Sequence, residues 1–264
     1  MDPFQLAGLM KRLNAHMDAR CRADGLIQHQ FEAAPFGSAY VTISPAEQGP
    51  YASSNFNRVH LCGAEKGLTA DGLARIADLF RQAGVGRFHV WLSPGPRMEL
   101  VRRWLSDDGM TRRPWVKYLT LACDSVMPSS KSGRIEARAL SGSEAARLAA
   151  HHEGIAWPDF LRSAGASGFH HFMAFDQGTP IATALLCAFE GVGYLGAALT
   201  AEPFRGRGAQ QALIAKRIET AAALGCNTLV SETLSILEIS RGNLEKAGLK
   251  TIYEKEVYEA NLRA

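Results

Sequence analysis

Ala198-Leu-Thr-Ala-Glu-Pro-Phe-Arg-Gly-Arg-Gly-Ala-Gln-Gln-Ala-Leu-Ile-Ala-Lys-Arg-Ile218 decides the fold of this chain. A strand runs into a Gly-rich loop, and the loop opens an amphipathic helix. The first N–H groups of a helix have no partner inside it, and the helix dipole adds partial positive charge, so the loop predicts an anion site. Gly206 and Gly208 let the backbone wrap an anion where a Cβ would clash, and Arg205 and Arg207 bring cationic charge. Two phosphate motifs are excluded. No Lys-Ser or Lys-Thr pair follows Gly208, which removes the triphosphate and magnesium loop. Ala209, Gln210 and Gln211 supply no third glycine, which removes the dinucleotide fingerprint.

Working outward, residues 210–224 carry Leu213, Ile214, Arg217, Ile218 and Ala221 at helical spacing, with Gly225 placed as a C-terminal cap. Residues 228–233 read as a strand and 240–249 as a short helix ended by Gly248. Upstream, 134–140 alternates as a strand, 142–151 reads as a helix begun by Ser141 or Ser143, and 158–164 as a second short helix. Residues 170–176 and 180–189 predict antiparallel strands about a turn at 176–180, and 192–200 extends the sheet. The expected fold class is mixed α/β, a mostly antiparallel sheet flanked by helices.

Residues 205–210 resemble the diphosphate loop of the GNAT superfamily, the acyl-CoA-dependent N-acyltransferases, Arg/Gln-x-x-Gly-x-Gly/Ala. They match in the first five positions, and Gln210 departs at the sixth. Asn243-Leu-Glu-Lys-Ala-Gly-Leu249 is similar to the family's closing Tyr-x-Lys-x-Gly-Phe segment. The resemblance implies an N-acyltransferase that moves an acetyl or other acyl group from acyl-CoA to an amine of a small molecule or peptide by direct attack. Acetyl-CoA or another acyl-CoA is then a co-substrate, and no metal is required. It places Arg205, Gly206, Arg207, Gly208, Ala209 and Gln210 on the pyrophosphate, Ala198, Leu199 and Thr200 along the thioester and pantetheine arm, and Ser240 and Asn243 within reach of the cofactor.

Acyl transfer needs a neutral amine, a donor for the developing oxyanion and an outlet for the thiolate. Strand 191–200 carries no carboxylate where many relatives have a Glu. Glu232 is the first candidate base, followed by Glu202 and Glu190, with His151 or His152 also suited by their pKa. The family's tyrosine acid aligns with Leu244, and its usual Asn with Leu237. Tyr253 or Tyr258 compensates, or the thiolate leaves unassisted. These departures leave a second class open, a non-catalytic acyl-CoA-binding sensor or scaffold, and a third, a GNAT-like transferase using an aminoacyl-tRNA donor. Residues 151–160, with Trp157 and Phe160, are expected over the acceptor.

The 264-residue length fits two modest domains, with the Ser-, Pro- and Gly-rich stretch 125–133 as the linker. Residues 134–264 form the expected acyl-CoA-binding domain. Residues 1–124 repeat the order strand (58–62), helix (69–83), strand (87–92), helix (98–105), strand (115–123), and predict a degenerate GNAT-like copy, hence a tandem arrangement. That copy has Cys62-Gly-Ala-Glu-Lys-Gly-Leu68 in place of the anion loop. Residues 4–24 predict a helix whose acidic residues and lack of a continuous apolar core exclude a targeting or membrane-spanning segment. The five scattered cysteines, Cys21, Cys62, Cys123, Cys187 and Cys226, suit reduced core residues of a cytoplasmic protein. A net charge of +3 lacks the basic clustering of a nucleic-acid footprint, which confines nucleic acid to the tRNA-donor alternative.

Overall fold

The computed structural model describes residues 2–20, 27–30, 39–45, 57–62, 68–124, 134–152 and 154–262. The chain packs as two units, Met1–Leu119 with Ile252–Ala264, and Thr120–Thr251. In chain order the elements begin with α1 (Pro3–Arg20), β1 (Ile27–Gln30), β2 (Tyr40–Ile43), β3 (Arg58–Cys62), α2 (Ala70–Gln82), β4 (Arg87–Ser93), α3 (Met98–Asp107) and β5 (Thr111–Cys123). There follow β6 (Glu136–Leu140), α4 (Gly142–Ala150), α5 (Pro158–Arg162), β7 (Phe169–Asp176), β8 (Thr179–Phe189), β9 (Val192–Thr200), a 3₁₀ turn at Glu202–Phe204, α6 (Ala209–Ala223), β10 (Thr228–Leu234), α7 (Glu238–Lys246) and β11 (Lys250–Asn261).

In the first unit the strands run β1-β2-β3-β4-β11, antiparallel except for the β3/β4 pair that α2 connects. One face is apolar: Val59, Leu61, Phe88 and Val90 pack with Leu73, Ile76 and Phe80 of α2 and with Val101 and Leu105 of α3. Phe80 stacks on Phe88 with ring centroids 4.0 Å apart. Register puts the alternate residues Tyr40, His60 and Trp91 on the other face, which is buried although polar. There Asp18 of α1 pairs with Arg58 at 3.2 Å and accepts from Thr42 Oγ1 at 3.0 Å. Burial, helped by the Arg58 and Lys255 charges, holds the His60 imidazole well below its ordinary pKa.

In the second unit the strands run β10-β9-β8-β7-β6, antiparallel throughout except for β9/β10. The β7/β8 hairpin turns at Gln177 and Gly178, both at positive φ, the pairing a two-residue type I′ turn demands. Helices α4 and α5 cover one face, where Phe160, Met173, Phe175 and Leu185 share a core. Helix α6 covers the other: Gly193 lies against Ala221, with Leu186 and Leu229 beside it. A Cβ at Gly193 would stand 3.0 Å from that of Ala221, so the glycine sets how closely α6 approaches the sheet.

The helices and strands read from the sequence between 134 and 249 are present with small shifts at their ends, and Ser141 is the N-cap of α4, accepting from Glu144 N–H at 3.3 Å. Two features differ from the expectation, the β1/β2 pair and the division of the chain. Strands β1 and β2 were not anticipated, because four residues are too few to show periodicity. Helix α1 is described over Pro3–Arg20, and residues 21–24 of the expected helix lie outside the described ones. The sequence placed the division at 125–133, outside the described residues, whereas the packing divides the chain after Leu119. The packing also returns Ile252–Ala264 to the first unit, through antiparallel pairing of β11 with β4. Cys21 and residues 63–67 of the loop in the first unit also lie outside the described residues, as does the Cys62 side chain, while Cys123, Cys187 and Cys226 form no disulfide among the described residues. Among the described residues no helix is long and apolar enough to cross a membrane.

Candidate functional site

Strand β9 ends at Thr200, turns through Glu202–Phe204 and enters α6 across Gly206 (φ +77) and Gly208 (φ +91). Gly208 is the N-cap in the left-handed region, with no side chain bonding to the helix end. The first helical bond is Ala212 N–H to Gly208 C=O, which leaves the N–H groups of Ala209, Gln210 and Gln211 directed out of the helix.

Its two arginines have different environments. Arg207 donates from Nη1 to Asp176 at 3.2 Å and from Nη2 to the Pro203 carbonyl at 3.2 Å, with its guanidinium over the Phe204 ring at 5.1 Å. Arg205 is exposed and makes no side-chain hydrogen bond or ion pair among the described residues. Gln210 is likewise engaged: Nε2 donates to Ser240 Oγ at 3.0 Å, and Oε1 accepts from Asn243 Nδ2 at 2.7 Å. Gln211 adds a bond to Asn243 Oδ1 at 3.2 Å, so Ser240 and Asn243 tie α7 to the start of α6.

Next to the loop the sheet opens. Parallel pairing of β10 with β9 ends at Ser231↔Leu195, where Ser231 Oγ donates to the Leu195 carbonyl at 2.7 Å. Residues 196–200 continue on β8 alone and are half-buried one after another, although β8 beside them is largely buried. A bulge makes the break. Ala197 takes φ +45, the register against β8 shifts, and Ala197 packs on the α4/α5 side while Gly193 faces α6. Without the extra residue these two positions would share a face. Ala201 N–H bonds to the Ile181 carbonyl, so by alternation Ala198 and Thr200 direct their backbone groups to the open edge.

Two side chains hold this edge that the sequence reading did not assign to it. Arg217 of α6 is 1% exposed and donates to the carbonyls of Leu213 (3.1 Å), Leu185 (3.1 Å) and Gly196 (3.3 Å), filling the gap that the bulge leaves in the ladder. Burial pushes its pKa down to about 9, with Tyr194 opposing. The only sequence signal was a cation within an apolar helical stripe. The Trp157 indole, from the α5 side, donates to the Ala198 carbonyl at 3.1 Å.

The candidate acid and base groups are dispersed. Glu232 lies on β10 one residue past the end of the β9 pairing. It accepts from Thr120 Oγ1 at 3.2 Å and, opposite in parity to Leu229, projects toward the α4/α5 side. Glu202 is exposed in the 3₁₀ turn, and Glu190 occupies the β8/β9 turn at φ +47. His151 caps α4, its Nδ1 2.7 Å from the Arg147 carbonyl, with half-buried His152 beside it; Glu153 lies outside the described residues. Tyr253 and Tyr258 are buried on β11 in the first unit. Leu244 is a core residue, and Leu237 is an exposed N-cap. Phe160 is fully buried, packed edge-on to His171 at 5.0 Å, and so does not face an acceptor.

Residues 139–249 match the model of the acetyltransferase (GNAT) family. Among solved structures the chain is similar to a GCN5-related N-acetyltransferase from Kribbella flavida, with TM-score 0.64 and 15% identity over 94% of each chain. It is similar to one from Sphaerobacter thermophilus, with TM-score 0.60 and 18% identity over 88% of this chain and 80% of that one. A tandem GNAT protein from the clavulanic acid biosynthesis pathway matches 96% of this chain and 88% of its own, with TM-score 0.64 and 8% identity. No curated protein matches the sequence. At these identities the likeness is one of fold, and the fold is that of tandem GNAT-like domains.

Proposed function

We propose that this chain, whose residues 139–249 form a GNAT domain, is an N-acyltransferase that moves an acetyl or other short acyl group from acyl-CoA to an amine by direct attack. One observation carries the reading: the parting of β9 from β10 after Leu195↔Ser231, with the Gly208-capped start of α6 at the end of the same strand. A diphosphate suits the N–H groups of 209–211 and the free charge of Arg205. A pantetheine arm suits the open edge of β9, where the Ala198 N–H and the backbone groups of Thr200 are taken up by no strand among the described residues, the Ala198 carbonyl being held by Trp157.

In the reaction the amine nitrogen forms a C–N bond to the thioester carbonyl carbon. The C–S bond breaks, and CoA leaves as thiolate. The backbone N–H groups of Ala198 and Thr200 stabilise the oxyanion. Glu232, on the α4/α5 side, takes the proton from the bound ammonium, directly or through a water, so that the neutral amine attacks. With Leu244 in the core, the thiolate leaves without a tyrosine acid at that position; an ordinary thiol pKa of about 8.5 makes it a competent leaving group near neutrality.

The test incubates the protein with acetyl-CoA and a panel of small-molecule and peptide amines while free thiol is followed, beside calorimetric titration with CoA. Amine-dependent thiol release that falls in Arg205→Ala is the expected result. Tight CoA binding with no release on any amine would make the domain a binding module, and absence of CoA binding would remove the site.

A further inference from the structure

The open edge of β9 has two sides. The diphosphate loop and α6 lie on one, with Ala221 against Gly193, and α4 and α5 lie on the other, with Phe160 packed among Met173, Phe175 and Leu185. A donor whose diphosphate sits at the start of α6 therefore passes its arm through the gap beyond Leu195, and its acyl group emerges on the α5 side. The group standing at that exit is the Trp157 indole, bonded to the Ala198 carbonyl.

Trp157 is not a loose lid. Two residues before it, the Ile155 carbonyl accepts from Thr183 Oγ1 of β8, and both residues are buried. Three residues after it Phe160 is fully buried, and its carbonyl accepts from Ser163 Oγ at 3.1 Å and lies 3.1 Å from His171 Nε2 on β7. The backbone carrying the indole is thus pinned to the sheet on both sides. Trp157 is 42% exposed, so its side chain is bonded to the β9 edge and still partly open.

We infer that Trp157 is the residue that limits acyl-chain length, a fixed wall at the exit of the β9 edge that admits acetyl-sized groups and turns away longer ones. The inference rests on the acyl-CoA reading above. A straight chain longer than a few carbons meets the ring, and displacing the ring breaks its bond to the Ala198 carbonyl, for which an acyl chain offers no donor in exchange. The sequence alone suggested that Trp157 acts on the acceptor; the bond to Ala198 instead puts it on the donor.

The experiment measures binding, so it needs no acceptor. Wild type, Trp157→Phe and Trp157→Ala are titrated with CoA, acetyl-CoA, butyryl-CoA and hexanoyl-CoA. In wild type hexanoyl-CoA is expected to bind about tenfold or more weaker than acetyl-CoA, because crowding in a fixed pocket costs on the scale of a methylene or two. Trp157→Phe keeps the wall and the selectivity. Trp157→Ala removes the wall and brings hexanoyl-CoA to within a few fold of acetyl-CoA, while affinity for unacylated CoA stays level. Wild type binding all three acyl-CoAs equally, or selectivity unchanged in Trp157→Ala, overturns the wall. Loss of unacylated CoA affinity in Trp157→Ala with an unchanged melting temperature also overturns it, since the indole would then act on the whole donor. Failure of wild type to bind any CoA overturns the donor reading itself.

Discussion

Arg207 is held by Asp176: Nη1 stands 3.2 Å from a carboxylate that is only 6% exposed and that also faces Arg134 at 3.4 Å. The pair ties the loop before α6 to the β7/β8 turn. It separates two arginines that look equivalent in sequence, one a brace for the loop and the other free to meet an anion. Arg205→Ala is expected to weaken CoA binding about tenfold with the melting temperature unchanged, on the scale of one exposed charge-assisted hydrogen bond. Arg207→Ala is expected to lower stability by about 1–2 kcal/mol, because it leaves a buried carboxylate with Arg134 alone, and to weaken CoA binding less than Arg205→Ala does. Calorimetry beside urea unfolding separates the two. Equal affinity losses with equal stability would show that Arg207 leaves Asp176 for the ligand.

Gln210 stands where the resembled motif has Gly or Ala, and its amide is spent on Ser240 and Asn243. Gln210→Ala should therefore cost about 1–2 kcal/mol of stability, two hydrogen bonds' worth, and leave CoA affinity within about threefold. A collapse of affinity at unchanged stability would mean that the amide contacts the donor.

Arg217 supports the bulge from below. Arg217→Met fills its volume but leaves the Leu185 and Gly196 carbonyls without their donor, for an expected loss of about 2–4 kcal/mol. Acyl-CoA affinity should fall with it, since the bulge no longer has its brace. Urea midpoints and calorimetry on the same preparation check this, and retention of both stability and affinity would show that the bulge stands unaided.

Glu232→Gln should lower kcat by about a hundredfold with unchanged CoA affinity, the usual scale for a general base. A variant that keeps the wild-type kcat would clear Glu232 of proton transfer.

His171 is buried beside Ser163 and the Phe160 carbonyl, and burial pushes its pKa down, the Phe160 bond opposing. The unfolded chain, with an ordinary imidazole near 6.5, then binds the proton more readily than the folded one, so stability falls as pH drops below about 6.5. Urea midpoints at successive pH values should decline through that window and decline less in His171→Asn. Identical slopes would show that His171 is not the group responsible; His60 in the first unit shifts in the same direction and would then be tested.

What the sequence determined by itself is the local chemistry. Gly206 and Gly208 forced a backbone that only glycine enters easily, the spacing of Leu213, Ile214 and Ile218 made a helix follow, and Gly225 and Gly248 ended the helices, because each effect acts within a few residues. The tandem order of strands and helices was legible for the same reason. The tertiary structure alone decided which arginine is free, since Asp176 lies thirty-one residues from Arg207 in sequence. It alone sent β11 to pair with β4, and it alone made Arg217 a support for the Gly196 carbonyl and Trp157 a partner of Ala198. Those contacts join residues that no local pattern relates. Whether a side chain braces the fold or faces a ligand depends on which distant hydrogen-bonding groups folding brings beside it.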